Sequence, residues 1–316
     1  MNMKIFKTVL ALSLALCMLA GCTGRNDDKN GSSSSAPSIS SSSSSSMPEP
    51  SSSSEAPESS SSSSSSSMDS SSEAAAAAGS ADFSQIGALD PAAVTWGPGR
   101  QVDEENRPTA PIALQEQYGK YGAIFIGNKD EKKIYLTFDQ GYENGYTAKI
   151  LDTLKEKEAP AVFFLTGHYV RTEPELCQRM IDEGHVLGNH TDNHLDATEA
   201  PLSEAQEDLL SLHNMVNDQL GYACRYYRFP EGKFSEQALG LVQMNSYKPV
   251  FWSFAYADWD PDNQMAEADA LEQLKSHLHC GAIYLLHSVS STNAAVLGDF
   301  IDAARQEGYE FAKMEL

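Results

Sequence analysis

Short apolar runs alternate with segments of helical period from residue 134 to the C-terminus, and this alternation limits the possible folds more than any other feature. The runs that predict strands span residues 134–138, 161–166, 186–189, 225–229, 249–254, 282–287 and 309–314. The segments that predict helices span residues 147–157, 173–183, 203–220, 235–244, 265–278 and 293–306. Such alternation favours parallel strands joined by right-handed crossovers. We therefore expect an α/β barrel or an open α/β sheet of about seven strands.

Glycines and one irregular region mark the limits of this pattern. Four predicted helices are each followed by a glycine, at Gly184, Gly221, Gly281 and Gly308. A left-handed C-terminal cap is expected at these positions. The region 95–126 follows neither period and is interrupted by Gly97-Pro98-Gly99, so we expect an additional hairpin or an irregular layer there.

The first 21 residues have the features of a targeting segment. Two lysines precede the apolar stretch 9–20, which is too short to span a bilayer stably. The stretch leads into Leu19-Ala20-Gly21-Cys22, which resembles the bacterial lipoprotein signal. We expect residues 1–21 to be a lipoprotein signal peptide and Cys22 to carry a lipid anchor in the cell membrane, with ordinary secretion as the alternative. In both cases the working compartment lies outside the cytoplasm.

Residues 22–81 are rich in serine and are predicted to be a disordered linker. Their low apolar content cannot offset the entropy lost on ordering the chain. A flexible segment of roughly 60 residues has an end-to-end distance of about 40 Å. Such a tether would let an anchored domain sample a wide volume around its anchor, although a spacer of no particular length is also consistent with the composition.

The remaining region is acidic and long enough for one domain. The chain has 22 Lys and Arg against 44 Asp and Glu, and residues 1–79 hold 4 and 7 of these, which leaves 18 against 37 and a formal charge of −19. A nucleic-acid partner is therefore not expected. Three cysteines, Cys177, Cys224 and Cys280, remain in this region, and their odd number and wide spacing favour buried thiols over a disulfide framework.

Chemically capable residues occur at or just after the C-terminal ends of five predicted strands. They are Asp139, His190, Pro230, Asp258 and His287. In α/β barrels these strand ends form the catalytic face. We therefore expect the five positions to converge on one site.

His190 and His194 are the candidate metal ligands. Imidazoles four residues apart can bind one metal if the intervening segment is helical or tightly turned. Asp139 would then serve as the base for a metal-bound water, and the chain is predicted to be a metal-assisted hydrolase. Taken alone, the histidines could instead be a surface or helix-capping pair, and Asp139 could be a loop cap.

Four further residues complete the candidate site. Arg228 could pair with Asp139 and keep it ionised and oriented, although an exposed structural ion pair is the simpler interpretation of Arg228 alone. Asp258 beside His287 would raise the imidazole pKa and fix its tautomer, as a general acid requires. Trp259 and Leu285 could line an apolar slot about the size of a methyl group, and each taken alone is more readily explained by core packing.

Five motifs in this order resemble those of the NodB-type polysaccharide deacetylases, carbohydrate esterase family 4. They are Thr137-Phe138-Asp139-Gln140-Gly141, His190-Thr191-Asp192-Asn193-His194, Arg228-Phe229-Pro230-Glu231-Gly232, Asp258-Trp259 and Leu285-Leu286-His287. Further stretches at 141–147, 251–253 and 282–287 are similar to the branch that deacetylates muramic acid to form the δ-lactam of spore-cortex peptidoglycan. The resemblance covers roughly residues 134–316 and implies a distorted (β/α)7-type barrel.

The resemblance also implies roles for individual residues. Asp139 would be the catalytic base and His287 the general acid, with Arg228 orienting the first and Asp258 tuning the second. His190 and His194 would bind a divalent metal, zinc being the expected ion. The backbone N–H of Glu231 would stabilise the oxyanion, while Trp259 and Leu285 would contact the substrate.

Gln140 departs from the pattern of the family, which usually has a second Asp there as the third metal ligand. A neutral amide oxygen is a poorer ligand than a carboxylate, so the affinity and the identity of the metal are open. The muramic-acid branch also lacks an acid at this position. The departure therefore marks a subtype more than an inactive enzyme.

The implied protein is a membrane-tethered peptidoglycan de-N-acetylase. It comprises an N-terminal extension at residues 82–126 and a catalytic domain at residues 127–316. Its substrate would be the N-acetylmuramic acid of glycan strands, and whether an amidase must first remove the stem peptide is left open by the sequence. The alternatives are a deacetylase of N-acetylglucosamine, chitin-type or acetylated xylan substrates, and an inactive module that only binds wall glycan.

Overall fold

The computed structural model describes residues 82–315. The predicted signal peptide, the lipid anchor at Cys22 and the Ser-rich linker lie outside these residues and stay predictions, as do the domain boundaries. Within the described part of the chain, no helix combines the length and the apolar character needed to cross a membrane.

Strands and helices alternate along most of the described chain. The strands are β1 Val94–Thr95, β2 Lys133–Gln140, β3 Ala161–Leu165, β4 Val186–Asn189, β5 Tyr226–Tyr227, β6 Lys233–Phe234, β7 Lys248–Pro249, β8 Phe254–Ala255, β9 Ala282–His287 and β10 Glu310–Phe311. The helices are α1 Thr109–Tyr118, α2 Thr147–Glu156, α3 Gly167–Thr172, α4 Pro174–Asp182, α5 Leu202–Leu220, α6 Glu236–Met244, α7 Glu267–Ser276 and α8 Ser291–Gln306.

The main sheet is parallel throughout and is curled into a distorted barrel. Its strand order is β7-β5-β4-β3-β2-β9-β8, and β10 also pairs with β2. Both ends of this order belong to one chain segment, because β7 continues through Val250 and Phe251 into β8. Val250 N–H still donates to Tyr227 at the β5 side, whereas Ser253 N–H donates to Ile283 in β9. The predicted α/β barrel is therefore confirmed.

β2 lies at the centre of the sheet and carries the first candidate residue near its end. Residues 134–140 are all buried, because helices cover one face and the barrel interior covers the other. Phe138 stacks on Phe163 of β3, with ring centroids 5.1 Å apart. In the parallel register Asp139 lies beside His287 of β9 and Phe164 of β3. The continuous apolar run thus fixes where the Asp139 carboxylate emerges.

Most predicted elements are found close to their expected bounds, and three differ for physical reasons. The single strand expected at 249–254 is two short strands, since the segment exchanges β5 for β9 as its partner. The region 95–126 contains α1, and its strand β1 pairs antiparallel with β6 instead of forming a local hairpin. Helix α3 was missed because six residues are too few to establish a helical period.

Gly281 has a positive φ of +71°, although it does not cap a helix. Helix α7 ends five residues earlier, and Gly281 instead packs against the backbone of Gly127. A Cβ atom at Gly281 would lie 2.7 Å from Gly127 Cα, and the N–H of Gly127 donates to Gly281 O at 2.7 Å. Gly184, Gly221 and Gly308 also have positive φ and lie at or next to helix ends, as predicted.

Gly281→Ala is expected to lower the free energy of unfolding by about 3 kcal/mol, because both the dihedral strain and the clash with Gly127 must be relieved. Gly184→Ala is the matched control, since Gly184 has a φ of +85° but no atom near its missing Cβ. That change is expected to cost only about 1 kcal/mol. Urea unfolding measures both values, and equal losses would contradict the role of the Gly127 contact.

Candidate active site

The five strand ends meet on one side of the barrel because their strands are parallel. Asp139 lies near the end of β2 and His287 ends β9, in direct register with each other. His190 follows β4, and its N–H donates to Leu165 O in β3. Pro230 lies three residues after β5, and Asp258 follows β8. The structure therefore brings Asp139, His190, Asp258 and His287 together, and Pro230 follows a strand of the same sheet.

Arg228 is fully buried and fixes the Asp139 carboxylate. Its Nη1 donates to Asp139 Oδ1 at 2.9 Å and to Thr137 Oγ1 at 2.8 Å. Its Nε and Nη2 donate to the carbonyl oxygens of Val250 and Phe251, each at 3.1 Å. Four of the five guanidinium N–H groups thus have acceptors within the protein, and the exposed ion pair considered from the sequence does not occur.

The charges around Asp139 keep it ionised. Burial alone would raise the pKa of Asp139, but the attraction of the Arg228 guanidinium, supported by His287, brings it below its ordinary value. The carboxylate is only 8% exposed, and its Oδ2 remains free of the guanidinium. Asp139 therefore presents a negatively charged oxygen at neutral pH, as a base needs.

The His190 imidazole is neutral and faces this carboxylate. Its Nδ1 lies 2.9 Å from Arg228 O, which accepts a hydrogen bond from it and leaves Nε2 as the unprotonated nitrogen. Burial lowers the pKa of His190 to about 4. Nε2 lies 3.6 Å from Asp139 Oδ2, which is therefore a contact with a neutral ring and not an ion pair. The ring of His194 is nearly perpendicular to that of His190, with centroids 4.9 Å apart.

The segment between the histidines is neither helical nor relaxed. Thr191 and His194 have φ values of +69° and +57°, in the left-handed region that side chains disfavour. Asn189 Oδ1 accepts the N–H of Thr191 at 2.9 Å. Asp208 Oδ1 accepts both the N–H and the side-chain Nδ2 of Asn193, at 3.0 and 2.7 Å. These bonds hold a tight turn. The sequence analysis required either a helix or a tight turn between the two histidines.

Gln140 follows Asp139 at the end of β2, where its side chain is buried and has an unmet acceptor. Its Nε2 donates to Ser288 Oγ at 2.6 Å, whereas its Oε1 is buried without a hydrogen-bond partner. Among residues 82–315, no cluster of three His, Cys, Asp or Glu side chains is arranged to hold a metal. The two imidazoles are suitable ligands for a divalent metal. The amide oxygen of Gln140, which has no hydrogen-bond partner, is the neutral third ligand that the sequence analysis considered. The role of Gln140 as a ligand stays a prediction.

Asp258 and His287 form a second pair next to Asp139, in which Asp258 is buried and His287 is partly exposed. Asp258 Oδ1 lies 2.8 Å from His287 Nδ1, and its Oδ2 accepts the backbone N–H of His287 at 2.8 Å. Burial alone would lower the pKa of His287, but the nearby Asp258 and Asp139 outweigh it and raise the pKa above its ordinary value. The imidazole is therefore poised to hold a proton, with Nε2 directed away from Asp258.

The three predicted substrate contacts lie in different surroundings. Leu285 is buried two residues before His287, on the same face of β9. Trp259 is 59% exposed, and its ring lies edge-on to His287 with centroids 6.3 Å apart. Glu231 has a φ of +55°, and its carboxylate pairs with Lys233 at 2.9 Å. Their roles toward a substrate stay predictions, and Trp259 belongs to the rim of the site more than to a closed slot.

Sequence reasoning missed several residues that hold the site together. Thr137, Asp208 and Asn293 all bond to candidate residues or to their neighbours. Thr137 could have been found, because it lies two residues before Asp139 and so faces the same side of β2. Asp208 and Asn293 belong to helices and reach the site only through the tertiary fold.

The fold and the site define a hydrolase of the α/β-barrel class. A family model described as polysaccharide deacetylase matches residues 126–250. The chain is 41% identical over 233 residues to the peptidoglycan-N-acetylmuramic acid deacetylase PdaA of Bacillus subtilis, covering 73% of this chain and 88% of PdaA. The chain belongs to the polysaccharide deacetylase family, carbohydrate esterase family 4, whose members depend on a divalent metal.

The solved structure of PdaA and two other similar proteins extend the comparison. The solved structure of PdaA superposes with a TM-score of 0.67 at 42% identity, covering 71% of this chain and 95% of that one. A family 4 carbohydrate esterase from Bacillus anthracis has a TM-score of 0.59 at 38% identity, with coverage of 72% and 96%. The peptidoglycan-N-acetylglucosamine deacetylase PgdA of Listeria monocytogenes is 31% identical, over 59% of this chain and 39% of its own length.

Proposed function

We propose that this chain removes the acetyl group from N-acetylmuramic acid in peptidoglycan. The observation that carries the proposal is the pair of oppositely tuned groups at adjacent positions of β2 and β9. Asp139 has a lowered pKa and His287 a raised one, so base and acid coexist at neutral pH. The similarity to PdaA supports muramic acid as the sugar.

The proposed reaction uses one water and releases acetate and an amine. Asp139 accepts a proton from the water while the water oxygen attacks the acetamide carbonyl carbon. His287 then donates a proton to the nitrogen as the carbon–nitrogen bond breaks. A divalent metal held by His190 and His194, for which zinc is the proposed ion, would supply Lewis-acid polarisation to this chemistry. The backbone N–H of Glu231 is proposed to bind the oxyanion, and Trp259 and Leu285 to contact the substrate.

Acetate release from purified peptidoglycan tests this function. Mass spectrometry of the digested glycans then locates the missing acetyl group on muramic acid or on glucosamine. Loss from glucosamine would favour the alternative activity, which is the one named for the Listeria relative. Chitin oligomers and acetylated xylan serve as further substrates in the same assay. Glycan binding without any acetate release would favour an inactive binding module, the reading that Gln140 motivates.

We propose that an amidase removes the stem peptide before this chain deacetylates the glycan strand. Glycan strands with and without stem peptides, compared in the same assay, test this proposal. Deacetylation of the bare strands alone would support an amidase acting upstream, whereas equal rates would exclude that requirement.

Residues 1–22 are proposed to direct the protein out of the cytoplasm and to anchor it in the cell membrane through lipidated Cys22. Metabolic labelling with a radioactive fatty acid tests the anchor, with Cys22→Ala as the control that should lose both the label and the membrane association. Label retained by this variant would contradict lipidation at Cys22.

Gln140→Asp is expected to tighten zinc binding by about 10- to 100-fold, because a carboxylate is a stronger ligand for the cation than an amide oxygen. Gln140→Asn is the matched control, since it shortens the side chain equally but keeps the neutral amide. Isothermal titration calorimetry with zinc measures both. An unchanged dissociation constant in the Asp variant would exclude residue 140 from the metal site.

A further inference from the structure

Asn293, in the first turn of α8, contacts the Asp258–His287 pair. Its side-chain Nδ2 donates to Asp258 Oδ2 at 2.6 Å and to His287 O at 3.1 Å. Asn293 is 1% exposed, so solvent does not replace these bonds. Asp258 Oδ1 is left for His287 Nδ1 alone, while Oδ2 receives Asn293 and the backbone N–H of His287.

Tyr256 fixes the orientation of the Asn293 amide. Its hydroxyl donates to Asn293 Oδ1 through a short hydrogen bond. Burial raises the pKa of the Tyr256 phenol, with a further contribution from Asp258, so the hydroxyl keeps its proton. A flipped Asn293 amide would direct its oxygen at two acceptors, Asp258 Oδ2 and His287 O, and would lose both bonds. Only the observed orientation satisfies every partner.

The backbone of Asn293 is held as firmly as its side chain. Ser290 caps α8 by accepting the N–H of Asn293 at 3.0 Å, and its hydroxyl donates to Gln264 Oε1. Gln264 Nε2 in turn donates to the carbonyl oxygen of Asp258 at 3.0 Å. A closed chain of hydrogen bonds therefore runs from Asp258 through Asn293, Ser290 and Gln264 back to Asp258.

We propose that Asn293, oriented by Tyr256, is a positioning residue that holds the Asp258 carboxylate in the geometry that His287 needs for proton donation. The inference rests on the deacetylation reaction proposed above. A buried carboxylate whose two oxygens both accept hydrogen bonds does not rotate easily. When His287 is neutral, Asp258 then keeps its single ring proton on Nδ1. Nε2 is therefore the nitrogen that exchanges a proton in the reaction. A purely structural role at the start of α8 would not affect this tautomer.

Asn293→Leu removes the donor and keeps nearly the same volume. We expect kcat for acetate release to fall by about 10- to 100-fold, with KM within about twofold, because the change acts on the acid and not on binding. In protein labelled with ¹⁵N-histidine, we expect the ring signals of neutral His287 to move away from the Nδ1–H tautomer. Tyr256→Phe removes one of the three bonds that orient the amide and is expected to give a smaller change in the same direction.

Asn245→Leu is the matched control. Asn245 Nδ2 also donates to a backbone carbonyl, that of Leu241 at 2.8 Å, but it lies at the end of α6. This variant is expected to lose some stability while keeping kcat and the His287 signals of the wild type. If Asn293→Leu does not fold, Tyr256→Phe provides both measurements with a milder change.

The two readouts separate this inference from the proposed function. Wild-type kcat and an unchanged His287 tautomer in both site variants would overturn the positioning role while leaving the reaction intact. A wild-type protein that releases no acetate would overturn the reaction. The NMR comparison would still decide whether Asn293 controls the state of His287.

Discussion

Replacing Asp139 by Asn is expected to lower kcat by about 10²- to 10⁴-fold, the largest loss among single substitutions in this site. The amide has the same shape but accepts no proton from water. It also leaves the buried guanidinium of Arg228 without its counter-charge, although Nη1 keeps a bond to Thr137. Acetate release from peptidoglycan measures the loss in rate.

For the same variant, we also expect a change in the free energy of unfolding that depends on pH. Because the folded pKa of Asp139 is lowered, its ionised form stabilises the protein above the unfolded value of about 3.9. This contribution is lost as the pH falls through the folded pKa. Asp139→Asn should therefore cost about 3 kcal/mol near neutral pH and progressively less in acid.

Asp152→Asn is the control for both measurements. Asp152 also pairs with an arginine, Arg179 at 2.5 Å, but its side chain is 72% exposed. An exposed pair contributes little, so both activity and unfolding should stay close to the wild type. Equal behaviour of the two variants would contradict the assignment of Asp139 as the base.

Replacing His287 by Gln is expected to lower kcat by about 10²- to 10³-fold and to remove the alkaline limb of the pH–rate profile. In the wild type the rate should fall as the pH rises through the pKa of His287. That pKa lies above the ordinary 6.5, since Asp258 and Asp139 together outweigh burial and Arg228. The profile of kcat/KM against pH measures the limb.

His277→Gln is the control for this profile. His277 is outside the site, and its Nδ1 bonds to Gln273 O near the end of α7. Its replacement should leave the alkaline limb in place. An alkaline limb that persists in His287→Gln would assign the proton donation to another group.

The sequence predicted the features that depend on local pattern. The runs at β2, β3, β4 and β9 are apolar on both faces, and so their strands and the residues at their ends could be located before the structure was known. The convergence of Asp139, His190 and His287 followed from the geometry of parallel strands.

The features that were missed depend on contacts between distant segments. No local signal indicates that the chain after Pro249 exchanges β5 for β9, or that Gly281 approaches Gly127. The residue type of Gln140 could be read directly, but its bond to Ser288 could not. The same holds for Asn293, which looks like an ordinary residue in the first turn of a helix.

The left-handed residues of the histidine loop link the folding of the protein to its surroundings. Thr191 and His194 each hold a conformation that costs about 1–2 kcal/mol, and the hydrogen bonds made by Asn189 and Asp208 help to offset this cost. A cation that binds only the ordered loop would stabilise the folded chain by mass action. Resistance to heat and to proteolysis would then depend on the supply of that ion, and scarcity would make the enzyme both slower and shorter-lived.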